Sequence, residues 1–190
     1  MDYFKELGRL FLKIEARDRR GRVLSLDKAV CAVVSLIMKC RKKGNKVIFI
    51  GNGGSASIAS HISTDLLKNA KIASLAFNDS SLITCLSNDL GFDFVFEKPI
   101  EMLAKKGDIL FSVSSSGKSK NILNATLKAK KKGCSIITLS GFSKDNPLRN
   151  LGDINFYIPS HSYGYVEITH LAICHLIADC LKDNGRVSYR

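Results

Sequence analysis

The stretch Lys46-Val47-Ile48-Phe49-Ile50-Gly51-Asn52-Gly53-Gly54-Ser55 decides how this chain folds. Its β-branched and aromatic run reads as a strand buried on both faces, and the Gly-rich turn after it opens into a helix. A strand, a glycine turn and a helix N-terminus in that order form a unit that meets anions with free backbone N–H groups. The helix carries His61 and Asp65 four residues apart, so the two share a face.

Downstream of this unit the pattern alternates. Strands are expected over 47–50, 72–77, 109–113, 135–139 and 154–158, and helices over 55–69, 80–86, 94–104, 120–131 and 165–181. Short apolar strands separated by helices predict an α/β fold, a doubly wound parallel sheet in a single domain, with ligands past the carboxyl ends of the strands. The loops at those ends are 51–55 and Ser114-Ser115-Ser116-Gly117-Lys118-Ser119. Upstream, Phe4, Leu7, Leu10, Phe11 and Ile14 at helical spacing predict an amphipathic helix over 3–19. A second helix over 29–42, capped near Ser25, has enough apolar surface to bury two faces. Residues 1–45 are therefore expected to supply helices for self-association, 46–183 the α/β core, and 184–190 a flexible tail.

A chain of 190 residues with 45% hydrophobic and 24% charged residues and three prolines has globular composition. The N-terminus lacks the layout of a signal peptide, and no apolar run approaches the roughly 20 residues of a membrane span. A cytoplasmic protein with no membrane partner is expected. The six cysteines sit inside apolar runs and contain no Cys-x-x-Cys pair, so neither a thiolate zinc site nor a disulfide framework is indicated, and small buried side chains are expected. The net charge is +12, with lysine-rich runs at 39–43 and 128–132. Both runs fall at helix ends, where cations suit the dipole. Without an RNA- or DNA-binding signature or interleaved aromatics, a nucleic-acid partner is not expected.

The run Ser114 to Ser119 places four hydroxyls, a glycine and a helix N-terminus after a buried strand, which suits a phosphate monoester. It lacks the spacing of a nucleotide-binding P-loop. Glu167, His170 and His175 lie on the last helix. Spacing alone leaves His61 and Asp65 open between a metal site, an exposed pair and a core contact. Glu167 and His175 stand eight residues apart, a rise of roughly 12 Å, so both reach one ion only if Glu167 sits in a frayed first turn.

Taken in order, Gly51-Asn52-Gly53-Gly54-Ser55-Ala56, Ser60-His61, Ser87-Asn88-Asp89-Leu90-Gly91-Phe92, Ser114 to Ser119 and Ile136-Ile137-Thr138-Leu139-Ser140-Gly141 resemble the sugar isomerase (SIS) superfamily. Within it the chain is most similar to the sedoheptulose-7-phosphate, or phosphoheptose, isomerases. The resemblance implies the SIS fold and a homotetramer with active sites at subunit contacts. It implies that Ser114, Ser115, Ser116 and Ser119 hold the sugar phosphate, and that Asn52, Gly53, Gly54, Ser55, Asn88, Asp89 and Glu167 line the substrate. One zinc per subunit would be held by His61, Asp65, Glu167 and His175. Asp65 would serve as base and His175 as acid in an aldose-ketose isomerisation through an enediol, on the route to heptose for lipopolysaccharide or capsule.

The chain departs from the family pattern in places. Asp65 replaces a glutamate and is one methylene shorter; a base about 1 Å too far costs on the order of a hundredfold in rate. Glu167 replaces a glutamine and adds charge at the metal, so it would take over the base role if the two changes compensate. Leu66-Leu67 stands where the family has Gly-Arg, and Gly164-Tyr165 where it has Asp and Arg. These departures leave a different sugar phosphate as one alternative. The other is a non-catalytic tetrameric SIS adaptor that binds a replication initiator, although four ligand-type residues in register favour chemistry.

Overall fold

The computed structural model describes residues 2–182, so the tail expected over 184–190 lies outside the described residues. In chain order the elements are α1 (Tyr3–Leu12), β1 (Glu15–Asp18), β2 (Val23–Leu24), α2 (Leu26–Lys42), β3 (Val47–Gly51), α3 (Gly54–Lys68), β4 (Ser74–Ala76), α4 (Ser80–Leu90), α5 (Glu97–Leu103), β5 (Ile109–Ser114), α6 (Lys120–Lys131), β6 (Ser135–Ser140), β7 (Ile154–Tyr157) and α7 (Tyr163–Lys182). They build one seven-stranded sheet of order β2-β1-β7-β6-β5-β3-β4. The five strands from β7 to β4 are parallel, as expected of an α/β fold.

Burial on both faces explains the apolar run of β3. Val47 and Phe49 enter a core shared with α2, α3 and α7, whereas Ile48 and Ile50 enter a second core shared with α5 and α6. Because side chains alternate across a strand, only an uninterrupted apolar sequence satisfies both layers. Phe49 and Phe111 stack at 4.6 Å in the first core and lock β3 to β5.

The structure corrects the N-terminal reading. The helix expected over 3–19 stops at Leu12, and residues 15–18 turn back as β1, which pairs antiparallel with β7 and with β2. Asp18 and Gly21 dictate the reversal. The Asp18 carboxylate accepts from the Arg20 and Arg22 backbone N–H groups, and Gly21 takes φ +77°. At the other end of β1, Glu15 accepts a 2.6 Å hydrogen bond from the buried Arg149, which also stacks over Tyr157.

Further expectations need revision. Within the single chain α2 buries one broad face, through Val30, Val33, Val34 and Ile37. Four cysteines are buried, but Cys31 and Cys85 are exposed. Burial pushes the Cys40 and Cys134 thiols up to about 11 and Cys174 up to about 12. Helix α7 is long and apolar enough by composition to cross a membrane, yet its Val166, Ile173, Cys174 and Ile177 pack into the core.

Candidate functional site

The glycine turn brings β3 into α3 through positions that reject side chains. A Cβ at Gly51 would lie 2.5 Å from the Ser55 backbone, and Gly53 adopts φ +54° with ψ −125°. A Cβ at Gly54 would collide with the carboxylate of Glu167. The missing side chain at Gly54 is therefore the space that Glu167 occupies.

Facing this turn is the serine loop after β5. Gly117 N–H donates to Ser114 Oγ at 3.2 Å, and Lys118 N–H to Ser116 Oγ at 3.2 Å. Ser119 caps α6 without a side-chain hydrogen bond to it, and the buried Ser115 hydroxyl has no hydrogen-bond partner among the described residues. Buried hydroxyls without partners are rare, and a helix N-terminus carries positive potential. The two features point at one cleft of about 240 Å³, walled by residues 52–55, by Ser114, Ser115, Ser116 and Ser119, and by Tyr163 and Glu167. Its chemistry suits an anion such as a phosphate monoester.

One residue that sequence reasoning missed holds the cleft together. Asn121, in the first turn of α6, exchanges two amide hydrogen bonds with Asn52 of the glycine turn. The side chain of Asn52 is thus engaged by protein, while the backbone of its turn lines the cavities. Beneath the serine loop, buried His170 contacts the Ser140 carbonyl through Nε2 at 3.2 Å, and Gly141 N–H donates to the Ser115 carbonyl at 2.9 Å. The local sequence marks Asn121 and Tyr163 in no special way, since their partners lie far off in the chain.

A second cluster lies farther along α3. Asp65 Oδ2 is 3.6 Å from His61 Nε2 and 3.6 Å from His175 Nδ1. The three potential ligand atoms lie within 4.8 Å of one another. Zinc bonds of about 2.0–2.2 Å in tetrahedral geometry place neighbouring ligand atoms roughly 3.4 Å apart. Two imidazoles and a carboxylate at this spacing, partly open to solvent, fit a zinc site that keeps a position free for substrate.

Glu167 stands apart from that set. Helix α7 is already formed at Tyr163, so Glu167 is not in a frayed first turn, and its carboxylate rests against Gly54. It lines the serine cleft and also an adjoining hollow of about 280 Å³ that contains His61. A third cavity of about 710 Å³ extends from Asn52 and Gly53 past Ser57, Ser60, His61 and Asn78 to Phe92 and Phe96. Asn88 and Asp89 lie outside these hollows, exposed in the last turn of α4, where the Asn88 amide donates to Asp89 at 2.8 Å.

Comparison with known proteins agrees with this geometry. A SIS domain model matches residues 3–141. The chain is 34% identical to the phosphoheptose isomerase of Helicobacter hepaticus over 177 residues, covering 88% of this chain and 90% of that one. It is 35% identical to the phosphoheptose isomerase of Vibrio vulnificus over 178 residues, covering 88% and 92%. Among solved structures, a phosphoheptose isomerase from Francisella tularensis superimposes with a TM-score of 0.83 at 27% identity, covering 96% of this chain and 95% of that one. The phosphoheptose isomerase of Neisseria gonorrhoeae gives 0.81 at 26% identity, covering 94% and 95%.

Proposed function

The chain belongs to the SIS-domain family and is an aldose-ketose isomerase of the phosphoheptose type, and on that premise we propose its reaction, metal and assembly. In this reading a cytoplasmic homotetramer with one zinc per subunit converts sedoheptulose 7-phosphate into D-glycero-D-manno-heptose 7-phosphate for lipopolysaccharide or capsule. The observation that carries it is the meeting of His175 of α7 with His61 and Asp65 of α3, the helix that begins at the serine cleft. His61 lies seven residues beyond Gly54, roughly 10 Å along the axis of α3, which suits a sugar whose phosphate and carbonyl are at opposite ends. The exposed Phe4 and Leu12 of α1 support self-association.

The roles follow from placement. The serine loop would hold the phosphate, with the Ser115 hydroxyl gaining the partner it lacks and the α6 N-terminus meeting the charge. His61, Asp65 and His175 would hold the metal, which when bound acts as a Lewis acid on the carbonyl and hydroxyl oxygens. Asp65, shared between two imidazoles, is then committed as a ligand. Glu167, between the serine cleft and His61, is the carboxylate free to take the carbon-bound proton and return it to the neighbouring carbon. His175 turns Nδ1 toward Asp65 and leaves Nε2 to move the oxygen-bound proton.

The test combines metal analysis of the purified protein with NMR of sedoheptulose 7-phosphate, with and without zinc. Turnover that chelation removes and zinc restores is expected; an intact tetramer with neither metal nor turnover refutes the proposal. Glu167→Gln should lower kcat at least a hundredfold, and the double variant Asp65→Glu/Glu167→Gln should regain activity by placing the base on α3. Full activity in Glu167→Gln would return the base role to Asp65.

A further inference from the structure

The positive charge is not spread over the molecule. Five loops, taken with the helix ends that lead into three of them, at residues 19–22, 41–46, 68–73, 105–108 and 130–134, hold fourteen of the 29 Lys and Arg residues and one of the 17 Asp and Glu residues. The loops therefore account for the whole net charge of +12, and the rest of the chain is close to neutral. Their single acid, Asp108, is buried and bonded to Lys46, Asn45 and Lys105.

The sheet places these loops side by side. Four of them lead into parallel strands, and the hairpin tip at 19–22 lies beside the start of β7, because Asp18 of antiparallel β1 pairs with Ile154. All five thus lie at the amino ends of the parallel strands, opposite the serine cleft. Hydrogen bonds tie neighbours together: Val47 N–H donates to Ala73 O, Ile109 N–H to Lys46 O, the Asn45 amide to Lys106 O, and Gly107 N–H to Gly133 O. From the hairpin to the loop before β4 is five strand spacings, a stripe roughly 24 Å long.

Along that line Arg20, Lys131, Lys106, Lys43 and Lys71 are exposed, and none has an ion-pair partner among the described residues. Helix dipoles explain cations in the last turns of α2 and α6, but the hairpin arginines sit on no helix. Aligned like charges repel and cost stability unless a partner neutralises them.

We propose that this stripe binds the phosphodiester backbone of a nucleic acid without reading its sequence. The shape suits a linear polyanion, which carries its charges in a row. Arg19 and Arg20 at one end supply planar forks for phosphate oxygens. A membrane-docking face would set apolar anchors among its cations. The bulkiest apolar side chain in the five loops, Ile72, is 1% exposed. Aromatic side chains, which would stack on bases, are absent from these loops, so the contact is to the backbone.

The full-length protein should shift the fluorescence anisotropy of a labelled 20-base-pair duplex of arbitrary sequence, with a Kd on the order of 10 μM at 0.15 M salt. Affinity should fall with a log-log salt slope of about −4 to −6. Lys43→Glu/Lys106→Glu should weaken binding at least tenfold and flatten the slope by about 2. Lys28→Glu/Lys144→Glu, which removes the same charge away from the stripe, should change affinity less than threefold. Helical circular dichroism and isomerase turnover of both variants should match the parent, because none of the four substituted lysines lines the serine cleft or the hollow beside Glu167, or belongs to the His61, Asp65 and His175 cluster. Absence of binding, equal weakening by both variants, or binding to phosphatidylserine vesicles but not to the duplex would each overturn the proposal.

Discussion

Asn52 and Asn121 exchange two amide hydrogen bonds, of 3.0 and 2.9 Å, across 69 residues of sequence. They join the two loops that wall the anion cleft, so its width is set by a side-chain pair rather than by either loop alone. Losing this pair costs about 1–2 kcal/mol, most of it at the cleft. Asn121→Ala should therefore raise KM for the phosphorylated sugar about tenfold with a smaller change in kcat. A double-mutant cycle with Asn52→Ala, scored on kcat/KM, should show a coupling of about 1 kcal/mol.

Gly54 and Glu167 compete for one volume. Gly54→Ala must push the Glu167 carboxylate out of the space between the serine cleft and His61. A displacement of about 1 Å at a proton-transfer group costs on the order of a hundredfold in kcat. Because Glu167 is partly exposed and can swing outward, the melting temperature should change little; calorimetry beside steady-state kinetics separates the two effects.

His170 makes the fold sensitive to acid. Complete burial pushes its imidazole from 6.5 down to about 4, against a weaker opposing effect of its hydrogen bond to Ser140. Between these values the unfolded chain takes up a proton that the folded chain refuses. Stability is therefore full above pH 6.5 and is lost as pH falls toward 4, by a total on the order of 3 kcal/mol. Urea unfolding across pH 4 to 7 should show this slope, and His170→Gln, which keeps a donor for Ser140 but does not titrate, should flatten it.

Asp108 ties the start of β3 to the start of β5. Burial alone would raise its carboxyl, but hydrogen bonds from Lys46, Asn45 and the Lys105 N–H hold it below the usual carboxylate value. Its contribution is present above pH 3.8 and lost as pH falls through the lower folded value. Asp108→Asn leaves Lys46 without its counter-charge and should destabilise the protein by about 3 kcal/mol in urea titrations at pH 7.

Much of this molecule is legible from local sequence. Val47 to Ile50 must be buried on both faces, and the Gly51 to Ser55 and Ser114 to Ser119 turns follow from residues that accept tight backbone geometry. The segment from Glu15 to Arg22 misleads because Ile14 extends the helical spacing, while the hairpin is secured by Arg149, 134 residues from Glu15. Periodicity does not register a partner at that distance.

The sequence by itself determined the alternating elements from Val47 onward, the two polar turns and the identity of the ligand-type side chains, since these depend on short-range periodicity and backbone preference. Tertiary structure alone decided which of them meet. It brought His175 to Asp65 and His61, left Glu167 over Gly54, paired Asn52 with Asn121, and put Asn88 and Asp89 outside the three hollows. Strand order also turned five scattered basic loops into one stripe. The physical reason is common to all of these: a sheet that is not wound in sequence order makes neighbours of residues that chain spacing keeps apart.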